Sequence, residues 1–152
     1  MKYSTFKYLS IALLCVFLFS GLASAQRNVT PAIDRDPLME QDAKHNLDVA
    51  KQYFLLKKAY KAALERFEET YAAYPTFSKM DEFLYYAGMS SYYLSENKGK
   101  QKVDPTKDKN AAKYDPETLK QNATAYLSEI VDKYPDSKFK GDAEKTLAIL
   151  KK

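Results

Sequence analysis

Apolar positions in this chain fall into short helical stripes that break at prolines and at one marked change of phase. Leu47, Ala50 and Phe54 keep the three-and-four spacing of one helix face, which places the next apolar residues near positions 57, 58 and 61. Those positions hold Lys57, Lys58 and Lys61. The stripe restarts one step out of phase at Tyr60 and runs through Ala63, Leu64, Phe67, Tyr71 and Tyr74. A single straight helix would not keep both stripes on one face, so the pattern favours a helical hairpin that turns around residues 57–59, with one continuous helix as the alternative. Asp36-Pro37 supplies its start, because Asp can accept from free backbone N–H groups and Pro is pre-set for the first helical position. Tyr74-Pro75 supplies its end, since Pro offers no N–H and moves the residue before it away from helical angles.

The same grammar continues. Ser78 is expected to open a third helix, with Asp81 three residues on as the partner of a capping-box-like pair. Met80, Phe83, Leu84, Ala87, Ser91 and Leu94 form its buried stripe, and Gly88 inside it predicts close approach of a neighbouring helix. Residues 95–115 break the pattern with six Lys against four acidic residues, Gly99 and Pro105, and read as an inserted, solvated loop, with a partner-binding basic loop as the alternative. Asp115-Pro116 repeats the start signal. A helix over 116–134 then buries Leu119, Ala123, Leu127, Ile130 and Val131, and a last one over 138–150 carries Phe139, Ala143, Leu147 and Leu150. The expected fold is all-α, with about five helices.

Two segments share a plan sixty residues apart: residues 63–75, ALERFEETYAAYP, and residues 123–135, ATAYLSEIVDKYP. Each has Ala first, a large apolar residue four later (Phe67, Leu127) and a closing Tyr-Pro. Such self-similarity marks a solenoid, in which one supersecondary unit buries its apolar face only by stacking on a copy of itself. The units resemble tetratricopeptide repeats, about two and a half of them. Ala50 and Phe54 on the outward helix, and Tyr60, Ala63, Phe67 and Pro75 on the return helix, match the first repeat. Ala87, Gly88, Ala123, Leu127 and Pro135 match the second, interrupted by the insertion. Lys51 and Lys58 depart from the pattern, standing where the repeat has a small residue and a turn Gly. More narrowly, Tyr134-Pro135-Asp136-Ser137-Lys138-Phe139, and approximately Tyr74-Pro75-Thr76-Phe77-Ser78, are similar to the return-helix endings of the BamD (YfiO-like) family of periplasmic repeat proteins. That resemblance implies a non-enzymatic role in outer-membrane β-barrel protein assembly, with the assembly machinery or client peptide segments as partners. Family members are usually lipoproteins with about twice as many helices.

Composition adds the compartment. Lys2 and Lys7, an apolar run from Leu9 to Phe19 and Ala23-Ser24-Ala25 have the form of a cleaved signal peptide over residues 1–25, followed by a flexible leader over 26–36 and a helical domain over 37–152. Cys15 is the one cysteine; it lies inside the apolar run, preceded by Leu14 where a lipidation signal needs a small residue, so no direct lipid anchor is expected. Removing Lys2 and Lys7 from a formal +4 leaves +2, too little to imply nucleic acid or a charged membrane surface.

Chemistry has few candidates. His45 is the single histidine, and the pairs Glu68-Glu69 and Asp81-Glu82 are sequence neighbours that point apart on a helix. No phosphate loop, zinc spacing or nucleophile motif occurs, so no catalytic residue, metal or cofactor is expected. Solenoids of this kind bind along the outward helices. On that register the partner-binding face comprises His45, Asp48, Gln52 and Leu55 from the first unit and Glu82, Tyr85, Met89 and Tyr92 from the second; the alternative for Tyr85, Tyr86, Tyr92 and Tyr93 is packing between hairpins. The expected function is a periplasmic protein–protein adaptor; the alternative is a structural or oligomerisation module of another cell-envelope complex. Oligomeric state is not written in the sequence.

Overall fold

The computed structural model describes residues 35–104 and 110–151, so the expected signal peptide and most of the leader lie outside the described residues. Helices α1 (Pro37–Lys51), α2 (Tyr60–Ala73), α3 (Met80–Ser95), α4 (Pro116–Lys133) and α5 (Lys140–Leu150) follow one another, and no strand occurs among the described residues. Each helix packs on the next, and α1 also touches α3, as in a stack of antiparallel hairpins. The expected all-α, tetratricopeptide-like architecture is the one observed.

Both Asp-Pro starts act as caps. The Asp36 carboxylate accepts from Leu38 N at 2.8 Å, and Asp115 accepts from Glu117 N at 3.1 Å and Thr118 N at 3.3 Å. The phase break is also real. α1 widens into a π-helical turn over Gln52–Lys57 and ends on Lys58, which adopts the left-handed conformation at φ 49°. Its N–H returns to the Tyr53 carbonyl, as does that of Ala59 at 2.9 Å. Tyr74 and Tyr134 close α2 and α4 in matching non-helical geometry, with φ/ψ of −134°/63° and −126°/66°.

The third helix corrects the sequence expectation. It begins at Met80 with no side-chain cap, because Ser78 and Asp81 are both engaged across the fold. Ser78 donates its N–H and hydroxyl to the Glu40 carboxylate of α1, while Asp81 accepts from Ser137 Oγ at 2.6 Å. At each unit boundary, then, a carboxylate on the outward helix holds a serine of the turn that follows the next Tyr-Pro.

The core runs the length of the stack. Ala50, Tyr60, Ala63, Phe67, Ala87, Gly88, Ala123 and Leu127 are buried as expected of repeat-core residues, Phe54 is partly buried, and Pro75 and Pro135 stay exposed in their turns. Gly88 meets its prediction closely: a Cβ there would lie 2.7 Å from Leu127 Cγ. Helices α3 and α4 therefore approach over a face where no side chain fits.

The insertion is anchored. Lys113 is ion-paired with Glu68, the buried Tyr114 donates its hydroxyl to Glu65 at 2.7 Å, and a 3₁₀ turn over Ala111–Tyr114 leads into α4. At its other end Lys100 N donates to the Lys58 carbonyl at 3.0 Å, and Ala62 N donates to Gln101 Oε1 at 3.0 Å. The segment lies along α2 on both sides of its undescribed middle.

Candidate partner-binding face

The outward helices are α1, α3 and α5, and their azimuths decide which side chains a partner can reach. His45, Asp48, Gln52 and Leu55 are exposed on α1 and its π-helical extension, spaced three, four and three residues apart. That spacing puts them along one line of the helix surface. This half of the expected face is open.

The α3 half is mostly occupied by neighbouring helices. Glu82 is buried and ion-paired with Lys51 of α1 at 2.7 Å. The hydrogen bond to Glu82 holds the Lys51 ammonium above its usual range, against the opposing pull of burial. Met89 is buried on the other side, where Thr146 Oγ1 of α5 lies 3.5 Å from its sulfur. Tyr85 stacks on Phe139 with ring centroids 4.5 Å apart and an interplanar angle of 19°. Burial, reinforced by Asp142, raises its phenol. Tyr92 remains half-exposed, with the Lys98 ammonium 5.5 Å from its ring centroid. The structure therefore brings the α1 residues and Tyr92 to the surface, and places Glu82, Tyr85 and Met89 in the seams between helices.

For Tyr86 and Tyr93 the alternative role, packing between hairpins, is the one observed: an aromatic cluster fixes the distance between the first two outward helices. Phe54 packs on Tyr60, Tyr86 and Tyr93 with centroids 5.1, 5.1 and 5.8 Å away. Such pairs add to their area burial when tilted or offset. The signal available was the pairing of tyrosines at 85–86 and 92–93, which one helix must present to two different neighbours. Among the described residues no group of three or more His, Cys, Asp or Glu side chains is placed to hold a metal ion, and no helix is long and apolar enough to cross a membrane.

Stacked hairpins with an open outward helix define a tetratricopeptide-like scaffold. Residues 23–152 match the YfiO family, described as an outer membrane lipoprotein, and the chain belongs to that family. Membership places it among exported, envelope-associated proteins. The chain is also 32% identical over 83 residues to a probable vesicular-fusion protein sec17 homolog of Neurospora crassa; the match covers 55% of this chain and 27% of that protein. The chain thus spans about a quarter of that relative's length. No solved structure matches it significantly.

Proposed function

We propose that this protein is a non-enzymatic adaptor of the periplasm that serves outer-membrane protein assembly by holding a protein segment along α1. The observation that carries this reading is membership of the YfiO family across the whole of the helical domain. The open line of His45, Asp48, Gln52 and Leu55 supports it, with Tyr92 as a flanking amphipathic ring. Rings of that type give large contact area for little lost rotamer freedom. Glu82, Tyr85 and Met89 act from beneath, fixing the spacing of the helices that carry the contact residues.

The test is site-specific photocrosslinking in the intact envelope, with the crosslinker at Asp48 or Gln52 and a control at Glu69 on the exposed side of α2. The barrel-inserting machinery, or the C-terminal strand of a client, should be captured from the α1 positions and not from the control. Equal capture from both faces would refute the assignment, and capture of a second copy of this chain would favour the oligomerisation module. The processed N-terminus is a separate matter: an intact mass beginning at Gln26 supports the unanchored form expected from Leu14-Cys15, whereas an acylated Cys15 replaces it.

A further inference from the structure

The hairpin tip between α1 and α2 and the first turn of the insertion meet at one edge of the molecule. Gly99, at φ 96°, lies so close to the Lys58 carbonyl and the Tyr60 ring that a Cβ would sit 2.8 and 2.6 Å from them. The Lys100–Lys58 backbone bond locks the same junction. Five lysines are thereby collected: Lys57, Lys58, Lys98, Lys100 and Lys102. Among the described residues none of them is ion-paired with a carboxylate; Lys57 and Lys98 lie over tyrosine rings and Lys102 donates to the Asn97 carbonyl at 2.7 Å. Glu96 and Asp104 are the acidic side chains on this stretch of chain. Beside the lysines the π-helical turn exposes Leu55 by 55% and Leu56 by 76%.

One exposed leucine is ordinary on a protein surface. Two in a single turn, next to a junction that carries five lysines, form the pattern of a surface that enters a lipid interface: apolar tips reach the acyl boundary while cations meet headgroup phosphates. We propose that this edge docks on an anionic phospholipid bilayer. A net charge of +2 on the processed chain is too small to draw the whole molecule to a membrane, so the attraction is local. The exposed Leu55 and Leu56 beside the cations favour a bilayer over an acidic polypeptide, whose carboxylates would leave both leucines in water. Leu55 apart, the edge uses none of the residues of the proposed adaptor face, and either assignment can fail without the other.

Vesicle flotation of the processed protein tests it, with all variants sharing one N-terminus. Phosphatidylcholine vesicles containing one part in three phosphatidylglycerol should retain the protein at low salt, with retention falling as salt rises, and pure phosphatidylcholine should not. Replacing Lys57, Lys58, Lys98 and Lys100 by Gln should lower the partition coefficient about fivefold per lysine, and Leu56→Ser should lower it about tenfold. The control K79Q/K133Q/K145Q/K151Q removes as much charge from elsewhere on the surface and should leave retention unchanged. All of these side chains are exposed, and matching thermal melts would show that the variants fold. Equal retention on neutral and anionic vesicles, or equal losses in the control, would overturn the proposal. So would retention on a polyglutamate resin with none on vesicles, which would assign the edge to an acidic protein.

Discussion

Gly88→Ala isolates the close approach of α3 and α4. In a helix interior Ala is favoured over Gly by about 1 kcal/mol, so propensity alone predicts stabilisation. Packing opposes it: the new methyl would lie 2.7 Å from Leu127 Cγ and 2.8 Å from its Cδ2, both on a side chain with no exposed surface. Leu127 cannot swing clear into solvent, and overpacking of a filled core costs roughly 1–3 kcal/mol. Packing should win, leaving a net loss of about 1 kcal/mol and a fall in Tm of around 5 °C for a domain of this size. Thermal and urea unfolding followed by circular dichroism give the measurement. Leu127→Ala supplies the cross-check, because it removes both atoms that collide. Alone it should cost about 2–4 kcal/mol, and less in the Gly88→Ala background, where the added methyl occupies part of the vacated space. A Gly88→Ala variant more stable than the parent, or strictly additive effects of the two changes, would refute the close-contact argument.

Three further outcomes follow from particular contacts. Lys51→Met leaves the Glu82 carboxylate buried without its partner and should cost about 1–3 kcal/mol at neutral pH by urea titration, with most of it recovered in K51M/E82Q. Because the folded-state pKa of Lys51 is raised, its contribution is complete below the ordinary value of 10.5 and is lost as pH climbs through the higher folded value. Tyr126 is pushed up to about 12 from 10.0, chiefly by burial and then by Glu68. Its neutral phenol therefore stabilises the fold fully below pH 10 and ceases to do so between about pH 10 and 12, so Tyr126→Phe should raise the midpoint of alkaline unfolding in that window. Lys58→Gly should add about 0.5–1 kcal/mol by relieving the left-handed conformation, while weakening vesicle retention by removing one cation of the edge; a stability loss would contradict the turn geometry.

Local chemistry made most of the fold legible. Asp36-Pro37 and Asp115-Pro116 are caps whose partners lie two or three residues away, and the Tyr-Pro stops act on their own backbone. The hairpin was visible because three lysines interrupted a stripe at positions where one helix would have buried them. Ser78 and Asp81 misled because their spacing suits a local cap, whereas their real partners are 38 and 56 residues distant. The insertion looked solvated for a similar reason: Tyr114 was the single aromatic in a polar run, and its acceptor, Glu65, belongs to another repeat. On the candidate face, periodicity gave the azimuth of each residue but could not say which azimuths a neighbouring helix would cover. His45, Asp48 and Gln52 remained open, while Met89 was capped by Thr146 and Tyr85 by Phe139.

The anchored insertion alters the cooperativity of the stack. In a simple solenoid each repeat touches only its neighbours through regular faces, and an array can melt stepwise from one end. Here the segment leaving α3 is fastened to the hairpin tip of the first unit, then to Glu65 and Glu68 farther along α2, before α4 begins. Unravelling the first hairpin must release this strap, and releasing the strap loosens the entry to α4. The two units therefore share one unfolding event, and amide exchange in α2 and α4 should report a common opening free energy instead of a gradient along the chain.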